Sequence, residues 1–193
     1  MPDDLLPADA EAVIDVWFGD RERAKPEWFR KDPAFDVSIR TRFGAVIRAA
    51  LAGGLADWDR TPPGALARLV VLDQFTRNAY RDTPRAFAGD ALALAAARAL
   101  VADGRDRGFK PLQRGFVYLP FEHSEDLADQ AESLRLFGAL AAEHPAQAEA
   151  LEWARRHHAV IARFGRFPHR NAILGRASTA EELAFLEEPG SRF

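Results

Sequence analysis

One segment of the chain, residues 164–176, concentrates side chains that bind anions or transfer protons and contains no acid. It has three arginines and one histidine, and a fourth arginine precedes it: Arg163, Arg166, His169, Arg170 and Arg176. Arginine binds carboxylate and phosphate through paired hydrogen bonds, and imidazole titrates near neutral pH. Because the whole chain has a net charge of -3, this basic segment predicts a site that faces an anion.

Internal pairing is the alternative interpretation of these four arginines. A run of acids elsewhere in the chain offers partners: Glu122, Glu125, Asp126, Asp129 and Glu132. We expect some of the arginines to pair with the protein's own acids, but not all four. The aromatic residues Phe164 and Phe167 among the arginines also fit a platform for single-stranded nucleic acid. The segment is short and the protein acidic, so we expect no nucleic-acid partner.

A second polar group interrupts an apolar helical stripe. Asp73 and Arg77 lie four residues apart with the acid first, the order that favours an ion pair within a helix. Leu66, Leu69 and Val70 precede them on the same face, so the charged pair borders the predicted core. Such a break in the apolar pattern is typical of functional sites. A half-buried structural ion pair explains it equally well.

A third polar group surrounds His123. His123 and Glu125 could act as an acid and a base, or share a metal ion. Their spacing is not that of a zinc site, and an ordinary helix start explains the acids, so we expect no metal. Further along, His157 lies on a stripe with Trp153 and Val160 and is predicted to point inward.

Composition excludes several classes of site. The chain has 193 residues and no cysteine, so disulfides and thiolate chemistry are absent. Its 48% hydrophobic and 28% charged residues are typical of one soluble domain, which we place at residues 1–193. No apolar run reaches about 18 residues and no signal peptide is evident, so we expect a cytoplasmic protein without membrane contact. Common nucleotide, hydrolase and zinc-protease motifs are missing, and we predict no cofactor.

The elements that must position these side chains are helices. Apolar residues recur at helical spacing along most of the chain, and no stretch predicts a strand with a partner. Helix starts are predicted at Asp32-Pro33, Thr61-Pro62, Asp90, Ser124 and the capping box Thr179-x-x-Glu182, and a helix end at Pro120. About seven or eight helices result. This predicts an all-α fold, either stacked antiparallel hairpins or an irregular helical bundle.

Three motifs, taken in order, resemble those of a known family. They are Asp73-Gln74-Phe75-x-Arg77-Asn78, Pro120-x-x-His123-Ser124-Glu125-Asp126 and Phe164-Gly165-Arg166-Phe167-Pro168-His169-Arg170-Asn171. Together they resemble a bacterial family catalogued as domain of unknown function 924. The similarity extends from Trp17-Phe18-Gly19 to Glu181-Glu182, and Phe121-Glu122 departs from the family pattern. The resemblance implies a helical fold similar to tetratricopeptide-like hairpin stacks and no established activity.

The resemblance places the family's polar positions on residues of all three motifs. From them we hypothesise one pocket that binds an anionic small molecule, with His123 or His169 available for proton transfer. The expected ligand-binding residues are Asp73, Arg77, Asn78, Glu125, His157, Arg166, Arg170 and Asn171. Two alternatives stay open. The stacked helices could form a groove for an acidic peptide or protein partner, or the motifs could form a polar core that only fixes helix packing.

Overall fold

The computed structural model describes residues 6–19, 24–28 and 30–191, and this part of the chain is helical without any β-strand. The helices are α1 Ala8–Phe18, α2 Pro33–Leu51, α3 Pro62–Val70, α4 Thr76–Ala79, α5 Asp90–Ala102, α6 Pro111–Glu122, α7 Leu127–Glu143, α8 Ala148–Phe164 and α9 Ala180–Leu186. A π-helical turn, Val71–Phe75, joins α3 to α4. Counting these three as one interrupted helix gives eight among the described residues, so the all-α prediction is confirmed.

Local capping signals set several helix starts. The Asp32 carboxylate accepts hydrogen bonds from two backbone N–H groups of α2, and the Thr61 hydroxyl accepts one at the start of α3. Thr179 and Glu182 form the predicted capping box of α9. Each of these caps satisfies N–H groups that the first helical turn leaves without partners. The three predictions are confirmed.

Three predicted helix boundaries are wrong. Asp126, not Ser124, caps α7, because the Ser124 hydroxyl donates to Asp129 instead. Asp90 is the first residue of α5 and does not cap it, since its carboxylate binds arginines. Pro120 lies inside α6, which continues to Glu122. Burial of the surrounding apolar side chains offsets the backbone hydrogen bond that a proline removes.

The core forms where α1, the π-helical turn and α6 meet. Trp17 packs edge-on against Phe75 and against Phe116, with ring centroids 5.7 Å apart in both pairs. Helices α6, α7 and α8 pack as consecutive neighbours, as expected of hairpins, whereas α1 packs on α3 and α2 packs on the π-helical turn and α4. The architecture is an all-α helical bundle that sets the end of α6 beside α8. Within the described ranges, no helix is long and apolar enough to cross a membrane.

Candidate functional site

The π-helical turn buries Asp73 completely. Such turns add a residue to a helix and occur often at functional sites. Thr76 Oγ1 donates to the Leu72 carbonyl over 2.7 Å, and Gly89 packs against the same carbonyl. A Cβ atom at residue 89 would lie 2.1 Å from the Leu72 oxygen, so only glycine fits. This close approach brings the start of α5, with Asp90, next to the turn.

Asp73 orients the ring of His123. Its Oδ1 lies 2.8 Å from His123 Nδ1, and its Oδ2 accepts from Gln74 Nε2 over 2.6 Å. Arg77 Nη1 lies 3.1 Å from the same Oδ1, which confirms the predicted ion pair. Donation from Nδ1–H to Asp73 fixes the tautomer that carries a lone pair on Nε2. Among the described residues, His123 Nε2 makes no hydrogen bond.

The surroundings keep Asp73 ionised and His123 neutral. Burial opposes ionisation of Asp73, but Arg77 and His123 outweigh it and hold the pKa of Asp73 below its usual range. Burial lowers the pKa of His123, and Arg77 adds to this effect, although Asp73 favours the protonated ring. At neutral pH the ring is therefore an uncharged base held by a carboxylate. General acid–base catalysis uses this arrangement.

Asp90 connects the first motif to the basic segment. Arg77 donates to its two carboxylate oxygens over 2.9 and 3.2 Å. Arg170 Nη1 donates to Oδ2 of the same carboxylate over a longer 3.4 Å. Two guanidinium groups therefore share one carboxylate, and the bidentate partner of Asp90 is Arg77.

Arg170 is a buried cation with few hydrogen bonds. Its guanidinium carbon lies 4.8 Å from the ring centroid of Phe87 and 4.5 Å from that of Phe167, and its side chain is 7% exposed. Its Nε is buried without a hydrogen-bond partner in the described part of the chain. Burial, followed by repulsion from Arg77, lowers the pKa of Arg170 to about 10. A cation with so little compensation costs folding free energy.

Glu122 and His157 form a second buried pair beside Asp73 and His123. His157 Nδ1 lies 2.9 Å from the Trp153 carbonyl and 3.3 Å from Glu122 Oε1. The His157 ring centroid is 6.4 Å from that of His123. Burial, together with Asp73, raises the pKa of Glu122 to about 8, and burial lowers that of His157 to about 3. Both side chains are uncharged at neutral pH, and the predicted inward position of His157 is confirmed.

His169 lies beside the same group of charges. Its ring centroid is 5.6 Å from that of Phe167. Burial, and then Arg170, lower the pKa of His169 to about 4, with His123 and Arg77 adding to the effect. Residues of all three motifs thus come together. We call Asp73, Arg77, Asp90, His123, His169 and Arg170 the central cluster.

Two of the predicted ligand-binding residues have partners outside the central cluster. Asn78 Nδ2 donates to Asp36 over 2.7 Å, and Asp36 also accepts two hydrogen bonds from Arg81. Arg166 donates to both carboxylate oxygens of Glu182 over 2.6 and 2.8 Å. These contacts link α2 to the region after α4 and the basic segment to α9. Both residues have structural partners of their own.

Glu125 and Asn171 belong to a further network. Glu125 accepts two hydrogen bonds from Arg176, over 2.6 and 2.9 Å, and one from the Phe167 N–H over 2.8 Å. Asn171 accepts from Arg176 Nε and donates to the Ser178 hydroxyl. Glu125 therefore anchors the basic segment to the start of α7. Its hydrogen-bond partners differ from that of His123, so the two do not form the acid–base pair considered from the sequence.

Each of the four arginines has a carboxylate partner, so the expectation that not all four would pair is wrong. The pairs are Arg163 with Glu181, Arg166 with Glu182, Arg170 with Asp90, and Arg176 with Glu125. Only Glu125 comes from the predicted acidic run. The first turn of α9 supplies two of the other acids, because α9 follows the basic segment closely in the chain.

Sequence reasoning missed three residues at the site. Asp90 was predicted as a helix cap, Glu122 as a partner of an arginine, and Phe87 was not considered. Continuing α6 through Pro120 would have placed Glu122 four residues after the buried Tyr118, on the same face. The described residues contain no group of three or more histidine, aspartate or glutamate side chains that could hold a metal ion.

Comparison with known proteins identifies the family. The family model for a bacterial protein of unknown function, DUF924, matches residues 13–190. The chain belongs to this family, which confirms the resemblance of its motifs. It is also similar to a solved structure, that of the protein of unknown function ATU0120 from Agrobacterium tumefaciens. The two share 37% sequence identity with a TM-score of 0.82, over 92% of this chain and 96% of that chain. A search of curated proteins found no match.

Proposed function

We propose that the central cluster binds a small anionic molecule and that His123 exchanges a proton with it. The observation that carries this proposal is the placement of Arg170, a buried and weakly paired cation, in the same cluster as a histidine whose tautomer Asp73 fixes. Arginine supplies recognition of the anion, and the lone pair on Nε2 supplies a base.

The cluster is partly open to solvent. The side chain of His123 is 16% exposed, that of Arg77 19% and that of Asp90 24%. These exposures suit a small molecule that contacts the edge of the cluster. Arg170 then approaches the ligand from the buried side, where few water molecules compete for its donors and electrostatic interactions are stronger.

Charge balance adds a condition on binding. Asp73 and Asp90 balance Arg77 and Arg170, and His123 is neutral at neutral pH. A bound monoanion therefore leaves an excess negative charge in a partly buried site, which is costly. Transfer of a proton to His123 Nε2 removes this excess. We accordingly propose that anion binding is coupled to proton uptake at His123.

An acidic peptide in a groove would need arginines that are free to bind it. The arginines of the basic segment pair with acids of the chain itself, so no observation specifically supports the peptide-groove alternative. The purely structural alternative makes a different prediction from ours. It requires that loss of a cluster side chain lowers stability without affecting any ligand.

A cytoplasmic location is part of the same proposal, and cell fractionation tests it.

Isothermal titration calorimetry with formate, acetate and inorganic phosphate as probes tests the proposal. We expect the wild-type chain to bind at least one of them with net proton uptake, measured by comparing buffers of different ionisation enthalpy. Arg170→Met should weaken binding by at least about tenfold, equal to about 1.4 kcal/mol. The matched control Arg163→Met, which removes a surface partner of Glu181, should bind as the wild type does. Equal binding by both variants, or no binding of any probe to the wild type, would contradict the proposal.

A further inference from the structure

We infer that Glu122 is a positioning residue that stays protonated and thereby keeps His123 the uncharged base of the site. The functional meaning of this inference rests on the proposed role of His123. Its structural part, the protonation state of Glu122, does not depend on that role and is tested separately.

The hydrogen bonds of Glu122 do not compensate a charge. The residue is 3% exposed, and Oε2 is buried without a partner among the described residues. Oε1 lies 3.3 Å from His157 Nδ1, which already donates to the Trp153 carbonyl over 2.9 Å. No lysine or arginine in the described ranges pairs with Glu122. A buried carboxylate without a cation beside it is costly, so the group retains its proton.

Asp73 is a buried acid close to Glu122 that has the opposite protonation state. It is as buried as Glu122 but has a guanidinium partner, Arg77, and a ring donor, His123. Two acids near one histidine therefore have opposite protonation states, set by whether a cation accompanies them. Environments that separate the pKa values of neighbouring acids in this way are typical of acid–base sites.

The groups that face Glu122 come from three elements. Asp73 faces it from the π-helical turn and disfavours its ionisation, and His157 faces it from α8. Helix α7 contributes Gln130, an uncharged residue whose Nε2 donates to the Glu122 backbone carbonyl over 2.6 Å. None of these groups carries a positive charge at neutral pH that would compensate a second negative charge.

Ionisation of Glu122 would change the behaviour of the site. A second ionised carboxylate beside Asp73 and His123 would draw a proton onto His123, and the protonated ring could then accept no further proton. It would also repel an incoming anion. Glu122 thus sets an upper pH limit for anion binding although the ligand does not touch it.

Carbon NMR of the full chain with 13C-labelled glutamate side chains tests the protonation state. We expect one glutamate Cδ signal to stay in the protonated range at neutral pH, to titrate at a pH of about 8, and to be missing in Glu122→Gln. His123 ring signals should show an inflection at the same pH, absent in the variant. If Glu122→Gln does not fold, the wild-type spectrum decides, because the other glutamates with shifted pKa values have them lowered. A wild-type spectrum with every glutamate ionised at neutral pH would overturn the inference.

Acetate binding measured against pH tests the link to function. As the pH rises above the Glu122 midpoint, the affinity of the wild type for acetate should fall. This fall should be at least about tenfold larger than the fall in Glu122→Gln over the same pH range. The control Glu132→Gln, which removes a surface partner of Arg135, should follow the wild type. If acetate does not bind at all, the proposed function fails while the carbon spectrum still decides the state of Glu122. If acetate binds with the same pH profile in all three proteins, Glu122 has no influence on the site.

Discussion

Replacing Arg170 with methionine is expected to stabilise the protein while it removes anion binding. Its pKa is about 10, not the ordinary 12.5. At about 1.4 kcal/mol per pKa unit, the folded structure disfavours the charged side chain by about 3 kcal/mol. Methionine is similarly long and packs well against aromatic rings. Lost cation–π contacts with Phe87 and Phe167 cost about 0.5–2 kcal/mol, which leaves an expected gain of about 1–2.5 kcal/mol.

Urea unfolding at neutral pH measures this change. The midpoint should rise without a change in slope, and the melting temperature should rise by about 2–10 °C. Asp90 keeps its bidentate partner, Arg77, so the Asp90 carboxylate still has a cation beside it in the variant. The control is Arg166→Met, which should be destabilised because it leaves the buried Glu182 without its cation. If Arg170→Met unfolds at lower urea than the wild type, Arg170 is structural and the reasoning fails.

Three further predictions concern stability. Asp73→Asn should lose about 2–4 kcal/mol, since it weakens a buried ion pair and a charged hydrogen bond. It should also remove the stability that the wild type loses as pH falls below about 3.9 toward the lower folded-state pKa; equal acid sensitivity would refute this. His157 has a folded-state pKa of about 3, so its contribution is present above about 6.5 and lost as pH falls toward 3. Urea midpoints of His157→Gln should therefore vary less over that range than those of the wild type. Gly89→Ala should cost at least about 2 kcal/mol, because its Cβ would overlap the Leu72 carbonyl; an unchanged melting temperature would show that α5 shifts easily.

Local sequence signals predicted the fold well because they act within a few residues. The caps at Asp32, Thr61 and Thr179 depend on backbone groups two or three positions away. The pairing of Asp73 with Arg77 depends on one helical turn. Such contacts follow from chain geometry alone, whatever the rest of the protein does.

Contacts between distant residues could not be predicted in the same way. Nothing in the local sequence pairs Asp73 with His123, which is 50 positions away, or Arg170 with Asp90, which is 80 positions away. Motif order suggested that the groups meet, but not which atoms do. The position of Glu122 at the site was missed because Pro120 predicts a helix end, and only tertiary burial keeps α6 intact through Pro120.

Nitrogen NMR of the His123 ring during an acetate or phosphate titration tests the central claim most directly. We predict that Nδ1 stays protonated and hydrogen-bonded to Asp73 throughout, and that Nε2 gains a proton as the probe saturates the site. Arg170→Met should abolish this response. If neither acetate nor phosphate changes the His123 ring signals while the chain is folded, the proposed proton uptake at His123 is contradicted.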